Sequence, residues 1–412
     1  ESNRPGNRRR ISKDILKKLN LKNKVVVNID YNRHRYLRYF HMISNLFFSR
    51  YKFGADKKSF LHFNYHNINS RTVYLIFKFL SIYPLYNLTS WVFKKFILKE
   101  NTYLKDIILK NSIDLILHPT AYEGFFDSDL IDLSKKIKIP SIFLMNSWDN
   151  TNLSGMTHGY PTKYLVWGKK AKKYAEIYKK FPKKNIDIIG SAQFSKKHNS
   201  KNLDYKKLIK IKKNENYIVY AGANLGMNES NHLEYLNDYI NLKNLNLKII
   251  YRPHPWKKKN KNEKHYSEYS FKNVILDPFS EKNYNSLFKN KYQNKGIISS
   301  LPNESDVIIK NSIGVIAPLG TLMLESCWNK LPCCAFYPSK NRDTELSKQF
   351  RYAIDEQHIQ GFLLDLKIPI IGEEEKLYKG IDFIWNSNIY NNSPHARLCG
   401  VCRDEIIEDL YN

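Results

Sequence analysis

Cysteine is scarce in this chain. The 412 residues contain five cysteines, Cys327, Cys333, Cys334, Cys399 and Cys402. Small secreted domains depend on disulfides, so this low count excludes a disulfide scaffold. The last two cysteines form a lone Cys-x-x-Cys, and no second pair of ligands follows at the spacing of a zinc site. We therefore expect no metal site.

Long apolar runs are also missing. No run approaches the roughly 20 residues that cross a bilayer, and no secretory signal is present. The Gly-x-Ser-x-Gly, His-Glu-x-x-His and Walker A sequences are absent as well, which argues against the hydrolases, metalloproteases and P-loop enzymes that carry them. We expect a cytoplasmic protein, with peripheral association on the inner face of the cell membrane as an open alternative.

Acidic residues are outnumbered by basic ones. The chain has 67 Lys and Arg against 39 Asp and Glu, a formal net charge of +28. Such an excess favours polyanions or anionic membranes as partners. However, the lysines are scattered among abundant Asn, Ile and Tyr, and no nucleic-acid-binding motif accompanies them. We therefore expect no nucleic-acid partner.

Short apolar runs alternate with helical segments along most of the chain, which predicts an α/β fold with doubly wound parallel sheets. The length suits two Rossmann-like domains facing each other across a cleft. We predict a first domain at 1–194, a polar linker at 195–215 and a second domain at 216–374. Helices at 375–412 would follow and could pack back on the first domain. Residues 111–119 are predicted as a helix end followed by a strand. The other predicted strands are 24–30, 139–147, 163–168, 186–192, 217–221, 247–252, 273–277, 314–317 and 333–337.

Residues 74–98 are the most apolar part of the chain. Lys78, Lys94 and Lys95 are their only charges, and Pro84 divides them. Aromatic residues flanked by lysine suit a helix that lies in a membrane interface. Two core helices of a globular domain would have the same composition, and that alternative stays open.

Residues 314–337 read as strand, turn, helix and strand. Thr321 is predicted to cap a helix beginning at Leu322, after a turn that contains Gly320. Because a helix N-terminus at the carboxyl end of a parallel strand binds anions, we expect a nucleotide here, with Glu325 on its ribose.

Two further loops are predicted to follow strands of the second domain. The prolines of Arg252-Pro253-His254-Pro255 stiffen a turn that presents Arg252 and His254 to a phosphate, and Gly222 and Asn224 lie in a loop able to approach one.

Two acidic loops are predicted to follow strands of the first domain. Glu123 lies in AYEGFFDSD and Asp149 in SWDNT, both among aromatic residues. A carboxylate beside aromatic walls can hold a raised pKa and act as a general base, so either is a candidate. Trp148 and Asn150 are candidates for acceptor binding, and His118 and His158 are alternative bases.

Several of these motifs resemble those of GT-B glycosyltransferases, in particular the polysialyltransferase, Kdo-transferase and CDP-glycerol glycerophosphotransferase-like enzymes of bacterial capsules and cell surfaces. The resemblance is carried by SWDNTNLSG, YLVWGKKAKKYA, IIGSAQF, YRPHP and APLGTLMLESCWNKLPCCAFY. It implies that His254 contacts donor phosphate, Thr321 lies at the phosphate and Glu325 binds ribose. It also implies a metal-independent reaction without a cofactor, in which a CMP-, CDP- or UDP-linked sugar is the co-substrate.

The sequence thus predicts a glycosyltransferase that acts on a surface polysaccharide or a lipid-linked acceptor. Three alternatives remain open: a phosphotransferase that uses a CDP-alcohol, a nucleotide-sugar 2-epimerase, and a non-catalytic glycan-binding protein.

Overall fold

The computed structural model describes residues 35–68, 70–97, 100–118, 125–153, 158–191, 205–223, 227–254, 257, 263–289, 307–337, 355–356, 359 and 368–389. They form two separate parallel sheets with helices packed against them. The predicted α/β class with parallel sheets is therefore confirmed. The strand predicted at 24–30 lies outside the described residues.

The first half of the chain contains a four-stranded sheet in the order β1-β2-β3-β4. Every neighbouring pair is parallel, so a crossover leads from each strand to the next. The strands are β1 (Ile116–His118), β2 (Ser141–Leu144), β3 (Lys163–Val166) and β4 (Ile186–Ile188). The helices are α1 (Arg35–Phe48), α2 (Gly54–Asn67), α3 (Arg71–Leu80), α4 (Leu85–Val92), α5 (Thr102–Lys110), α6 (Phe125–Ile137), α7 (Asn150–Leu153) and α8 (Lys169–Tyr178).

The second half contains a six-stranded sheet in the order β10-β9-β8-β5-β6-β7, again parallel throughout. The strands are β5 (Asn216–Ala221), β6 (Leu247–Arg252), β7 (Val274–Leu276), β8 (Val315–Pro318), β9 (Cys333–Phe336) and β10 (Ile370–Ile371). The helices are α9 (Tyr205–Leu208), α10 (Glu229–Leu242), α11 (Glu281–Lys289), α12 (Thr321–Trp328) and α13 (Tyr378–Ile389).

The central strands of the second sheet are buried on both faces. Residues of β5 alternate between two apolar clusters: Tyr217 and Val219 belong to one, and Ile218 and Tyr220 to the other. This is why these strands are nearly continuous apolar runs in the sequence rather than alternating ones.

The structure adds to three of the sequence predictions, which concern a helix start, the predicted linker and the C-terminal helices. Helix α6 already includes Phe125, which lies before the predicted start at Ser128 or Asp129. The polar segment predicted as a linker at 195–215 contains helix α9, and Ile209 directly after this helix is buried. Helix α13 packs on the second sheet, because Ile381 and Ile384 complete an apolar cluster there. Residues 390–412 lie outside the described part, so packing of the predicted C-terminal helices on the first half stays a prediction.

Candidate functional site

The carboxyl ends of β5, β6 and β8 lie at one edge of the second sheet. Strand β5 is the common neighbour, with Ala221 opposite Arg252 of β6 and Tyr220 opposite Ile316 of β8. The backbone N–H of Gly222 donates to the carbonyl oxygen of Arg252 at 2.9 Å. The edge therefore brings together three segments that are far apart in the sequence: the loop after β5, the His254 turn after β6, and the start of α12 after β8.

Helix α12 begins one residue earlier than predicted. Gly320 occupies the N-cap position, with φ 175° and ψ −175°, and no side chain caps the helix. The prediction that Thr321 is the cap is therefore wrong, because extended backbone at Gly320 already turns the chain into the helix. A Cβ built on Gly320 would meet only the carbonyl oxygen of Pro318, at 3.9 Å. Within the described residues, a side chain at Gly320 would therefore meet no close neighbour. Backbone N–H groups at such a helix N-terminus attract anions.

Thr321 and Glu325 are both half-buried on α12. Thr321 lies at the first helical position, and Glu325 lies one turn later. Both residues therefore belong to the helix that opens toward this edge, and their contact with a nucleotide remains a prediction.

A buried ionic cluster fixes the loop after β5. Glu229 is fully buried; its Oε1 accepts the backbone N–H of Ala223 at 2.8 Å and its Oε2 accepts the Tyr251 hydroxyl at 2.6 Å. The Nζ of Lys257 lies 3.0 Å from both the Glu229 and the Glu263 carboxylate. Removing one partner from such a cluster would leave an uncompensated buried charge. The cluster therefore holds the loop after β5 and the segment after His254 in one arrangement.

Gly222 has a structural reason to be glycine. A Cβ at this position would lie 2.4–2.7 Å from the carboxylate of Glu229. The absent side chain thus makes room for Glu229, which supports the loop from behind. Asn224, the other predicted phosphate-binding residue of this loop, lies outside the described residues.

His254 is half-buried in the turn after β6, and its carbonyl oxygen accepts the Lys257 N–H at 2.9 Å. Burial lowers the pKa of His254 from its ordinary 6.5; the Lys257 charge acts in the same direction, and Glu229 opposes it. The imidazole is therefore neutral at physiological pH and has one N–H to donate.

Arg252 faces a carboxylate of its own domain. Its Nε donates to Oδ2 of the buried Asp277 at 2.5 Å, which joins the ends of β6 and β7. This contact stiffens the sheet edge beside His254. A direct contact of Arg252 with a donor phosphate remains a prediction.

The edge of the first sheet carries a histidine–aspartate pair. Nε2 of His118, at the end of β1, lies 2.9 Å from Oδ1 of Asp127 in α6, and both side chains are buried. The His118 ring packs 4.8 Å from that of Phe143, its register partner in β2. A carboxylate in this position can orient an imidazole. Glu123, one of the two predicted bases, lies in the loop between these elements and outside the described residues.

Asp149 lies in the loop after β2 and accepts a hydrogen bond from the Ser147 hydroxyl. Asn150 is buried, and its Oδ1 accepts the backbone N–H groups of Asn146 and Ser147 at 3.0 and 2.8 Å. Trp148 is half-buried against the apolar core. Asn150 therefore shapes the loop that presents Asp149, and acceptor binding by Trp148 and Asn150 remains a prediction.

His158 occupies an aromatic environment. Its ring stacks on Phe40 at 4.4 Å, and burial lowers its pKa from 6.5 to about 3. His158 therefore packs on α1, and its backbone N–H donates to Ser128 Oγ of α6 at 3.1 Å. This environment suits a neutral side chain rather than a base that must take up a proton.

The first half also contains an Asp-x-Asp triplet, which is a metal-binding motif of some transferases. It is Asp127-Ser128-Asp129 in α6. Asp127 faces His118, and Oδ2 of Asp129 accepts Asn101 Nδ2 at 3.0 Å. Within the described residues, no group of three His, Cys, Asp or Glu is arranged to hold a metal ion. Both carboxylates of the triplet thus serve contacts within the protein.

The sequence motifs also do not identify four residues that support the candidate site, namely Glu229, Lys257, Glu263 and Asp277. A signal was available for Glu229, because an acidic residue in the first turn of a helix just after a glycine loop is a frequent stabiliser of loop N–H groups. Nothing local in the sequence pairs Lys257 with Glu229, which is 28 positions away.

Solved structures with a similar chain path include enzymes of nucleotide sugars. One is a UDP-GlcNAc 2-epimerase of Methanocaldococcus jannaschii in complex with UDP-GlcNAc and UDP, with 15% identity over 74% of this chain and 78% of that chain and a TM-score of 0.42. The Neisseria meningitidis UDP-GlcNAc 2-epimerase bound to UDP-GlcNAc has 14% identity over 76% and 84% of the two chains and a TM-score of 0.40. The glycosyltransferase SnogD from Streptomyces nogalater has 10% identity over 75% and 72% and a TM-score of 0.43.

No protein-family model matches the chain, and no curated protein matches it. Identities of 10–15% leave the reaction to be inferred from the chain's own residues.

Proposed function

We propose that this protein is a GT-B glycosyltransferase that moves a sugar from a pyrimidine-nucleotide donor to a surface-polysaccharide or lipid-linked acceptor at the inner face of the cell membrane. The donor nucleotide binds the second half of the chain, the acceptor binds the first half, and the reaction uses no metal ion. A capsular or related cell-envelope polysaccharide is the product class that the sequence motifs favour.

The observation that carries this proposal is the edge of the six-stranded sheet. Three features follow the neighbouring strands β8, β6 and β5: a helix N-terminus at Gly320 without a capping side chain, the His254 imidazole with its lowered pKa, and the loop at Gly222 held by Glu229. Helix N–H groups and an imidazole N–H stabilise the negative charge that builds on a departing nucleotide phosphate. Glu325, one turn into α12, would accept the ribose hydroxyls.

The acceptor hydroxyl needs a base from the first half. Asp149 and Glu123 are the proposed carboxylate candidates, and His118 backed by Asp127 is the imidazole alternative. Single replacements of Glu123, Asp149 and His118 by Ala separate them, because loss of a general base lowers kcat on the order of a hundredfold or more while donor binding persists.

Donor binding is tested by thermal unfolding with CMP, CDP, UDP, GDP and ADP. A ligand at a hundredfold excess over its Kd stabilises the folded state by about 2.7 kcal/mol, so the preferred base is identified by the largest rise in Tm. We expect CMP, CDP or UDP to give that rise. His254→Ala and Glu325→Ala should abolish the nucleotide-dependent rise and reduce turnover on the order of a hundredfold. Glu234→Ala, an exposed carboxylate of α10, is the matched control.

The outcomes also separate the alternatives. If both variants keep binding and turnover, the site is wrongly assigned. If the chain binds no nucleotide, the glycan-binding alternative is favoured. Turnover of a nucleotide sugar without acceptor would identify an epimerase, and a phosphodiester detected by mass spectrometry of the product would identify a CDP-alcohol phosphotransferase.

A further inference from the structure

The helices α3 and α4 have two apolar faces. Their inner face packs on α1: Phe77 and Tyr86 are buried, the Phe77 ring lies 5.5 Å from Tyr39, and the Tyr86 ring stacks on Phe47 at 3.7 Å. The outer face is apolar as well. With the turns that follow the two helices, eight large apolar side chains are more than half exposed, namely Leu75, Ile76, Phe79, Ile82, Tyr83, Leu88, Trp91 and Phe96.

This exposure is concentrated in one segment. Among the described residues, eight of the 19 exposed large apolar side chains lie between Leu75 and Phe96. Single exposed apolar residues are ordinary on protein surfaces, but a cluster of this kind marks an interaction site. A helix that is apolar all round is normally covered by protein or lipid.

The charges beside the apolar face are all positive. Arg71, Lys78, Lys94 and Lys95 are exposed, and the sequence has no acidic residue between Asp56 and Glu100. The Nζ of Lys95 lies 4.9 Å from the centre of the Trp91 ring and 5.4 Å from that of Phe96. Lysines that lie along aromatic rings can keep their ammonium groups at lipid phosphates while the rings enter the interface.

The helices are too short to cross a bilayer. Helix α3 has ten residues and α4 has eight, and a turn at residues 81–84 separates them. In the part of the chain that the structure describes, no helix is long and apolar enough to span a membrane. The geometry therefore suits a pair of helices that lie along the surface.

We propose that the outer face of α3 and α4, with the turn Phe93–Ile97, is a docking surface for anionic membranes. Phe79, Tyr83, Trp91 and Phe96 enter the boundary between headgroups and acyl chains. Lys78, Lys94 and Lys95 pair with lipid phosphates. This inference does not depend on the proposed enzymatic activity, since it rests on exposure and charge in a different part of the chain.

The test is flotation of the full chain with two kinds of vesicles, one of phosphatidylcholine alone and one of phosphatidylcholine mixed with phosphatidylglycerol. We expect binding to the mixed vesicles, weaker binding to the neutral ones, and a loss of binding as salt rises because surface charges are screened. The double variant Trp91→Ser and Phe96→Ser should weaken binding at least about tenfold, since two buried rings contribute to the partition free energy. Leu242→Ser, an exposed apolar residue on α10, should bind like the wild type.

The electrostatic contribution to membrane binding is tested by a second variant, which has a control of equal charge change. Lys78→Glu, Lys94→Glu and Lys95→Glu together should remove the preference for phosphatidylglycerol, at about fivefold or more for each lysine. The control carries the same charge change at exposed lysines elsewhere in the first half, Lys173, Lys183 and Lys184. Thermal unfolding of each variant confirms that it folds, as expected for surface substitutions.

Two results would overturn the proposal. One is wild-type protein that binds neither kind of vesicle. The other is a Trp91→Ser and Phe96→Ser variant that binds as well as Leu242→Ser. If the wild type is a dimer, binds no vesicles, and becomes monomeric in the double variant, the face is an interface between copies of this chain.

Discussion

At the scale of single residues, two glycines of the candidate site differ in what surrounds them. A Cβ at Gly222 would collide with Glu229, whereas a Cβ at Gly320 would point into open space. Gly222 is therefore needed by the protein itself. The surroundings of Gly320 do not require glycine. The proposed donor phosphate at the N-terminus of α12 would give a functional reason for a small residue there.

Gly320→Ser separates folding from binding. Serine is a better N-cap than glycine by a few tenths of a kcal/mol, so the Tm should stay equal or rise slightly. Its hydroxyl would accept the same N–H groups that we assign to the donor phosphate, so the nucleotide-dependent rise in Tm should fall sharply. The measurement is thermal unfolding with and without the preferred nucleotide. A variant that binds nucleotide like the wild type would show that the phosphate lies elsewhere.

At the scale of elements, the loop after β5 is held by a side chain of the helix that follows it. Glu229 in the first turn of α10 binds the Ala223 N–H, while Tyr251 of β6 and Lys257 bind Glu229. Strand, loop and helix are thus joined through one carboxylate. Such preorganisation keeps the N–H groups of a phosphate site in place before the ligand arrives.

Gly222→Ala should disrupt this arrangement of β5, its loop and α10 around the Glu229 carboxylate. The added methyl group would force the Glu229 carboxylate out of a fully buried position, and overpacking of this kind costs about 1–3 kcal/mol of unfolding free energy. Urea denaturation measures the loss. Gly320→Ala is the matched glycine-to-alanine control, and its cost should be smaller. Equal stabilities of the two variants would contradict the collision that the geometry indicates.

At the scale of the whole molecule, a residue of the second half reaches a helix of the first. Glu356, which lies between β9 and β10 in the sequence, is buried and hydrogen-bonded to Ser59 of α2. Burial raises its pKa from 4.5 to about 8; the Asp56 and Asp149 charges add to the shift, and the Ser59 bond and Lys52 oppose it. The carboxyl group is therefore protonated at neutral pH, and this contact between the halves is sensitive to pH.

The sign of this dependence follows from linkage. Because the pKa of Glu356 is higher in the folded than in the unfolded chain, its contribution to stability is full below pH 4.5 and is lost as the pH rises through about 8. Glu356→Gln cannot ionise, so its unfolding free energy should fall less steeply across this range, by a difference on the order of a few kcal/mol. Urea denaturation at a series of pH values measures it, with Glu234→Gln as the exposed control. Parallel profiles of wild type and Glu356→Gln would contradict the assignment.

The sequence by itself determined the α/β class and the places of the central strands. The run LKIIYR at 247–252 is a strand with the predicted bounds, and KYLV and CCAF lie within predicted strands. LKIIYR and CCAF could be predicted because strands buried on both faces are apolar runs with few interruptions. KYLV, in which alternate residues are buried, is also a short apolar run, and such runs are a local property of the chain. The start of α12 at Thr321 and the inclusion of Phe125 in α6 were harder to predict, because only a few residues of the preceding turn determine where a helix begins.

Only the tertiary structure decided which residues meet. Three findings depend on how distant segments pack: Gly222 makes room for Glu229, His118 faces Asp127, and one face of residues 74–97 packs on α1 while the other is exposed. Composition is the same for a core helix and an interfacial one, and burial separates them only after the chain has folded. Spacing along the chain gives no information on such contacts, because packing brings together residues that the sequence keeps apart.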